Sequence, residues 1–464
     1  MHTDRRSFLA SAAASVAAAT IVPRHVLGGA KFVPPSEKVN VALVGAGGQG
    51  RHNVRALFRE ADAQVIAVAD PIAREDMNAF YYKGMAGREP VRAEIEKAYA
   101  EKTPNFRCAP YEDFRVMLEK EPAIDAVLCA TPDHLHAYVS ILSMKAGKHT
   151  FCEKPLTHNI WEAREVADVA KATGVATQMG NIGHSRVGIR ETCEWLWDGA
   201  IGTVREVHAW VGASRWNKGL TGVPAETPPV PDDINWDLWI GPREMRPYHP
   251  AYTPVTWRDF WAFGCGGLGD FGCHDLDSAC WALNLVAPTT VEALPAGNMN
   301  EEIVPHGEIC YYTFESRGDQ RAVDVTWYDG GLKPPSPDEL PPGTLLPARG
   351  VMFVGDKGRM LCEGAGGPPR LLPDERNQEY QKPKPTIPRS KGHHRDWLDA
   401  CKGGPPASAN FEYGARLTEI VLLGILSLRT GQKIYWDAEN MRASGLPAAD
   451  AIIKESYRTG WRIA

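Results

Sequence analysis

The ten cysteines of this 464-residue chain include no Cys-x-x-Cys pair and no zinc-ribbon spacing, so neither a structural zinc site nor a disulfide framework has a signature here. Cys129, Cys152 and Cys273 fall in strand-like or site-like sequence and are expected to be buried thiols, although an oxidising compartment would permit a disulfide. Charge of one sign is not in excess. Lys and Arg number 51 against 57 Asp and Glu, a formal net charge of −6, and that balance supplies no nucleic-acid surface. No internal repeat is present, and no apolar run is long enough for a comfortable transmembrane helix. What remains is an ordinary globular composition, 44% hydrophobic and 23% charged, in a chain longer than one hydrophobic core usually organises. Two domains are the expectation.

Residues 1–30 read as a targeting segment. A twin arginine, Arg5-Arg6, is followed by Phe8-Leu9 and an Ala-rich stretch from Ala10 to Val22, the pattern of a Tat export signal. Leu27 to Ala30 offers small residues for cleavage. The expectation is a periplasmic or otherwise exported protein that uses the Tat machinery. Because that route carries folded proteins, an enzyme using it takes up its nucleotide before export.

The rest of the chain is organised around Val39-Asn-Val-Ala-Leu-Val44 and the turn after it, Gly45-Ala-Gly-Gly-Gln-Gly50. An apolar, β-branched run that stops at G-x-G-x-x-G reads as the first strand and phosphate turn of a dinucleotide-binding unit. Gly45 permits the tight turn, Gly47 lets backbone approach a pyrophosphate, and Gly50 lets the next helix pack on the strand. That helix, from about Gln49 to Glu60, aims its free N–H groups at the phosphates. A second apolar run, Gln64 to Asp70, ends in an acid 20 residues after Gly50, where a carboxylate binds the adenosine ribose hydroxyls. A solvated strand-end Asp before Pro71 is the plainer alternative. Asp70 favours NAD over NADP because it repels a 2′-phosphate, and Arg74 softens that preference.

Ile72 to Ala100 is expected to be largely helical. The strand Ile124 to Ala130 ends at Thr131-Pro132-Asp-His134-Leu-His136, a turn that should lie beside the cofactor, with a capping or structural histidine as the alternative. A helix from His136 to Ala146 and a short strand, His149 to Cys152, lead to Glu153-Lys154-Pro155, which places a lysine at the nicotinamide end. A solvated Glu-Lys pair is the bland reading. An amphipathic helix from Asn159 to Thr173 and a strand from Gly174 to Gln178 deliver Gln178, Asn181, His184 and Arg186 to a loop suited to a hydroxyl-rich ligand.

Six of the 14 tryptophans lie between Trp210 and Trp261. Most read as core, with Trp216 and Trp257, beside Arg215 and Arg258, as candidates for stacking on a sugar ring. If Asp270 to Asn284 is one helix, Asp270 and His274 sit at i and i+4 on one face with Asp277 close by. Neutral imidazole can take a hydroxyl proton while Asp270 orients the ring. A helix cap with a structural histidine is one rival reading. A divalent-ion face of Asp270, His274 and Asp277 is another, but no further cluster completes it, and no metal is expected. Beyond Pro288, Val291 to Ala296, Glu308 to Phe314, Ala322 to Tyr328 and Val351 to Val354 predict strands of a second sheet. The Pro-rich stretch from Lys333 to Pro347 reads as a surface flap. A second one, Gly364 to Lys391, is a candidate to close over the substrate mouth.

Carried by the Gly45 to Gly50 turn, Thr131-Pro132 with His136, Glu153-Lys154-Pro155, and the Gly-rich segment holding Asp270 and His274, the chain from about Lys38 onward resembles the Gfo/Idh/MocA family of NAD(P)-dependent oxidoreductases. The resemblance implies an α/β protein. Its N-terminal Rossmann domain, a doubly wound parallel sheet, is placed at residues 36–155. A C-terminal α/β domain at 156–464 carries a large, mostly antiparallel open sheet through which copies of the chain associate as a homo-oligomer. The implied catalytic set is Lys154, His274 and Asp270. The implied cofactor is tightly bound NAD on Gly45, Gly47, Gly48, Gln49, Gly50, Asp70, Thr131, Pro132, His136, Glu153 and Lys154. A carbohydrate-like substrate is expected on Gln178, Asn181, His184, Arg258 and Asp277. The implied reaction is hydride transfer between nicotinamide and a sugar, sugar derivative or polyol. Two other readings stand beside it: a glycosidase, lyase or epimerase that oxidises its sugar only transiently, and a nucleotide-bound interaction protein without catalysis.

Overall fold

Strand β1 (Val39–Val44) is almost wholly buried, as a parallel strand covered by helices on both faces must be. The computed structural model describes residues 33–318 and 321–463, so the targeting segment expected at 1–30 lies outside the described residues. β1 stands between β2 (Ala63–Ala69) and β6 (Ala126–Cys129) in a six-stranded parallel sheet. The sheet is completed by β5 (Ala109–Tyr111) on one side and by β7 (His149–Cys152) and β8 (Thr177–Met179) on the other. The direction of winding changes between β1 and β6, and a crevice at such a switch point is where open α/β sheets bind ligands. The sheet takes in β8, so this unit extends past the boundary expected at residue 155.

Helix α1 (Gly48–Leu57) follows the glycine turn. The next segment departs from the expected long helix. Residues from Ile72 to Gly87 form an irregular excursion holding a two-stranded hairpin of β3 (Glu75–Asp76) and β4 (Met85–Ala86), and α2 begins only at Arg88 (Arg88–Ala100). Pro71, Gly84 and Gly87 interrupt helical hydrogen bonding there, and both glycines have positive φ. Helices α3 (Phe114–Lys120) and α4 (Asp133–Lys145) complete the crossovers. Helix α5 (Ile160–Thr173) opens with a full capping box between Asn159 and Glu162 and closes at Gly174, within the bounds expected for the amphipathic helix from Asn159 to Thr173.

The second sheet has nine strands in the order β15, β14, β13, β9, β12, β11, β10, β16, β17. They are β9 (Val204–Val211), β10 (Thr290–Ala296), β11 (Gly307–Phe314), β12 (Val323–Tyr328), β13 (Arg349–Gly355), β14 (Gly358–Glu363), β15 (Pro369–Leu372), β16 (Ile434–Asp437) and β17 (Arg442–Ala443). Among the described residues of this sheet, only the β9–β12 pair is parallel. After β8 come α6 (Val187–Trp197), α7 (Trp236–Ile240), α8 (Gly266–Asp275) and α9 (Asp277–Ala282). The helix expected from Asp270 to Asn284 is therefore two helices broken at Leu276, and Asp277 leaves the face that carries His274. The stretch from Gly364 to Lys391 contains β15 and α10 (Asp374–Glu379) and packs on α6 through the Arg389–Glu194 ion pair, away from the substrate mouth.

The long apolar helix α12 (Phe411–Thr430) follows α11 (His393–Cys401) and lies against α5, α8 and β10 in the main hydrophobic core. After a last short helix, α13 (Asp450–Ile453), the tail docks through buried charge. Arg243 pairs with Glu455 and, at 3.2 Å, with Glu162 of α5. Glu455 also meets Arg429 at 2.7 Å and His158 at 3.1 Å. Arg243→Ala would leave the buried Glu162 and the partly buried Glu455 without their shared cation, a loss of about 3 kcal/mol, with Arg429 still beside Glu455. The expected result is a lower thermal midpoint with earlier proteolysis after residue 440, checked by calorimetry and limited digestion.

Candidate active site

At the switch point the chain passes close to itself. Gly45 has φ +91°, and a Cβ on it would lie 2.6 Å from the Ala130 carbonyl carbon; one on Gly50 would lie 2.0 Å from the Gly45 carbonyl oxygen. Only glycine fits at either position. Gly47 meets nothing within 4 Å, and no side chain caps the start of α1, so its N–H groups are available to an anion. From this turn a cavity of about 500 Å³ runs between the two sheets. Its wall includes Gly45, Gly47, Gly48, Gln49, Asp70, Thr131, Pro132, His136, Glu153, Lys154, Arg258, Asp270 and His274. Gly50 lies beneath the turn.

The dinucleotide end fits an adenosine ribose. Asp70 is buried and accepts from the Ala46 N–H at 2.6 Å and the Ile72 N–H at 2.7 Å, and burial pushes its carboxyl up to about 6. Glu75, from the β3 hairpin, lines the same end and is pushed up to about 8 by burial and then by Asp70. Arg74 is exposed and absent from the cavity wall, so it does not offset the acidic character that disfavours a 2′-phosphate. Glu153 accepts from Asn53 at 2.8 Å and Gln49 at 3.1 Å, which ties α1 to the end of β7. The His136 ring nitrogens lie 2.7 Å from the Pro155 carbonyl and 2.8 Å from that of Thr131, bracing the two turns that line the cavity. Burial lowers this ring to about 4, so it is neutral and its single N–H donates to one of the two carbonyls at a time. Cys129, Cys152 and His136 bring donor atoms within 4.8 Å of one another, but both ring nitrogens are engaged with carbonyls, and the three side chains read as packing beneath the turns.

At the other end the two sheets meet through charge. Lys154 Nζ donates to Asp270 Oδ1 at 2.5 Å and to the Asp270 carbonyl at 2.7 Å, while Arg258 Nε stands 3.4 Å from Asp270 Oδ2. Burial disfavours the Asp270 charge, but Lys154 and then Arg258 outweigh it and hold the carboxyl well below the usual range. Burial likewise opposes the Lys154 charge, and Asp270 more than restores it. His274 lines the cavity with Nδ1 unpartnered. Burial, then Lys154, holds its pKa far below the ordinary value, so the ring is neutral. The expectation that Asp270 orients His274 is corrected, since the carboxylate is engaged by Lys154 and Arg258 instead.

The structure does not bring Gln178, Asn181, His184 or Asp277 to the cavity wall. Gln178 donates to the His393 carbonyl at 3.2 Å. Asp277 accepts from Asn181 at 3.0 Å and Tyr413 at 2.5 Å, and its carboxylate lies 2.9 Å from His184 Nδ1. His184 stacks on Trp281 at 4.2 Å. Once α8 stops at Asp275, Asp277 turns inward and gathers Asn181, His184 and Tyr413 around its carboxylate, while Gln178 Oε1, Asn181 Oδ1 and His184 Nε2 stay buried without partners. The neighbouring Gly180 and Ile182 reach the wall instead.

Several wall residues escaped the sequence reading. Tyr81 and Tyr82, from the hairpin excursion, cover the glycine turn: the Tyr82 ring occupies the space where a Gly48 Cβ would point, and Tyr81 stacks with Trp216 at 6.0 Å. Arg258 lies over Trp257 at 4.2 Å. Asp133 is buried near Arg258 and Lys154 and is pushed up to about 7, chiefly by burial. Arg349 pairs with Asp275 at 2.9 Å. Asp133 stood inside a quoted motif; the tyrosines had no signal beyond their adjacency before Gly84.

Two profiles of one oxidoreductase family match this chain: its NAD-binding Rossmann fold over residues 39–181 and its C-terminal α/β domain over residues 203–315. Levoglucosan dehydrogenase of Pseudarthrobacter phenanthrenivorans is 28% identical over 271 residues, 56% of each chain. Glycosyl hydrolase family 109 protein 1 of Akkermansia muciniphila is 29% identical over 165 residues, 35% of this chain and 31% of that protein. The match thus spans little more than half of the first relative and a third of the second. The WlbA dehydrogenase of Bordetella pertussis, solved with NADH and UDP-GlcNAcA, superimposes with a TM-score of 0.56 over 86% of this chain and 99% of that one, at 15% identity, a likeness of fold.

Asp70→Asn removes the charge while keeping an acceptor for Ala46. Fluorescence titration should show the NADPH-to-NADH affinity ratio rising about tenfold, equivalent to ~1.4 kcal/mol. An unchanged ratio would mean that Asp70 does not read the ribose.

Proposed function

This chain belongs to the Gfo/Idh/MocA oxidoreductase family, and from that premise we propose that it transfers hydride between NAD and a sugar, sugar derivative or polyol. The observation that carries the reading is that Lys154 of the first unit and His274 of the second line the same cavity, which opens from the glycine turn. Bound nicotinamide supplies the hydride acceptor or donor. The chain's own residues then have separable tasks. Neutral His274, on the cavity wall, takes the substrate hydroxyl proton. The Lys154 ammonium, kept charged by Asp270, donates a hydrogen bond to the same oxygen and stabilises the negative charge that develops there. Arg258 keeps Asp270 ionised and with Trp257 and Trp216 forms a wall suited to the apolar face of a sugar ring. The Tyr81 and Tyr82 cover over the glycine turn supports a cofactor held through many turnovers.

Two further parts of the proposal concern the whole protein. The twin-arginine segment supports export by the Tat route to the periplasm. Leu294, Tyr311 and Tyr435 project from one face of the second sheet, where register places them together, and remain exposed. An apolar face of this kind supports a homo-oligomer built on that sheet.

A second reading has a specific observation behind it, the relative named as a glycosyl hydrolase. In that reading the sugar is oxidised transiently, a bond at the acidified neighbouring carbon is broken or inverted, and hydride returns. Holoenzyme supplied with a panel of sugars and glycosides separates the two. Net change in nicotinamide absorbance marks oxidation; product formation without it, with solvent deuterium in the product, marks the transient route. Lys154→Ala and His274→Ala should each lower kcat roughly a thousandfold, and unchanged rates in both would remove the mechanism.

A further inference from the structure

The glycines at the start of α8 have a structural cause. No side-chain cap protects this helix at Cys265; its Leu268 N–H donates instead to Glu308 Oε1 of β11 at 3.2 Å. Glu308 is in turn tied to Asp329, the residue after β12. Its N–H donates to Asp329 Oδ1 at 2.6 Å, and the Asp329 N–H donates to the Glu308 carbonyl at 3.0 Å. The second oxygen of Asp329 lies against the helix itself, where a Cβ on Gly267 would stand 2.2 Å from Oδ2. Two carboxyls from the second sheet therefore hold the first turn of the helix that carries Asp270 and His274.

Both carboxyls are buried, Glu308 at 2% and Asp329 at 1% exposure, and Asp329 Oδ2 has no N–H or hydroxyl partner. A buried acceptor of this kind is costly unless something donates to it. Two donors are at hand, the otherwise unpartnered Trp327 indole N–H, which acts on Asp329, and a carboxyl proton on Glu308. Burial first, and then Asp329, raises Glu308 well above its ordinary value, and burial pushes Asp329 up to about 7. The other titratable groups facing the pair are Cys310 and Tyr312, both on β11 and both raised, hence neutral. Among the described residues, α8 offers the pair only peptide groups, β12 offers the Trp327 indole, and no cation is among the groups acting on either carboxyl. We propose that Glu308 and Asp329 share one proton as a clamp on the first turn of α8, and so position Asp270 against Lys154. The lever is short. Leu268 is two residues before Asp270, and Lys154 bonds the Asp270 main-chain carbonyl as well as its carboxylate, so a slip of the helix breaks both contacts.

The sign of the pH effect follows. The folded pair holds its protons more tightly than the unfolded chain, so its contribution to stability is complete below the ordinary carboxyl range, weakens as Asp329 ionises near pH 7 and is lost as pH rises through the higher folded value of Glu308. Glu308 and Asp329 are positioning residues, and the inference rests on the reading of Lys154 and Asp270 as a working pair, although its test does not need a substrate. In the full-length holoenzyme, Glu308→Gln retains an acceptor for Leu268 and a donor for Asp329 but removes the titrating proton, whereas Glu308→Ala removes both bonds. Two readouts are followed from pH 6 to 9: the thermal midpoint, and the rate at which acetic anhydride labels Lys154, read by mass spectrometry against exposed lysines. Expected are a midpoint that falls with pH in the native protein and is flatter in Glu308→Gln, and Lys154 labelling several-fold faster in Glu308→Ala than in Glu308→Gln. A midpoint slope in Glu308→Gln equal to the native one overturns the shared proton, and equal Lys154 labelling in all three proteins overturns the positioning role. If Glu308→Ala does not fold, labelling of the native protein that does not outpace Glu308→Gln at alkaline pH overturns it as well. Absence of sugar turnover in every protein, with both expected readouts intact, would count against the proposed function and not against the clamp.

Discussion

The contact between Lys154 and Asp270 is the constraint on which the site depends. It joins the end of a parallel strand in one unit to a helix over the second sheet, with both side chains only 13% exposed. Burying two charges is costly, and their attraction offsets the cost only where geometry is good and other donors help. Here Lys154 reaches two oxygens of one residue, and Arg258 supplies a second cation to the carboxylate. Two cations against one firmly ionised acid leave this end of the cavity electropositive, which suits negative charge developing on a substrate oxygen. The neutrality of His274 has the same origin, since an imidazolium beside Lys154 would add a third cation to a desolvated space.

The inward-facing cluster around Asp277 shows what the break at Leu276 accomplishes. In one continuous helix, Asp277 would lie near the His274 face and add a second carboxylate to the reacting end. With the chain redirected into α9, Asp277 accepts from Asn181 and Tyr413 and pairs with His184. Its charge is then balanced away from the cavity, and the loop after β8 is held in place, so that Gly180 and Ile182 line the cavity wall. Polar residues after a strand can serve a ligand or hold a loop. Here they hold the loop, because each has a protein partner.

The two ends of the cavity were unequally legible in the sequence. The dinucleotide end is built largely from backbone: the Gly45 turn, the bare start of α1, and a strand end at Asp70. Such features depend on local spacing, so the glycine pattern and the acid after β2 point to them, as helical periodicity points to α5. The first unit's boundary was placed too early because β8, a strand of three residues, carries little periodic signal. The excursion from Ile72 to Gly87 was misread as helix because its Ala, Arg and Glu content suits one, while its conformation is dictated by docking against the glycine turn and the loop around Trp216.

The reacting end is assembled from side chains that are remote in sequence, and there the motif identifies residues without their partners. The spacing of Asp270 and His274 correctly put both on one helix, yet the natural inference that i and i+4 groups serve each other failed. A lysine 116 residues away and an arginine from a loop compete for the same carboxylate, and a charged partner outweighs a neutral imidazole in a desolvated space. The same reasoning explains the glycine-rich start of α8. Read locally, its glycines suggest flexibility; in three dimensions, Gly267 is where a carboxylate from another strand meets the helix backbone. A short spacing rule can nominate a catalytic helix, whereas its height and rotation are set by whatever the rest of the fold presses against it.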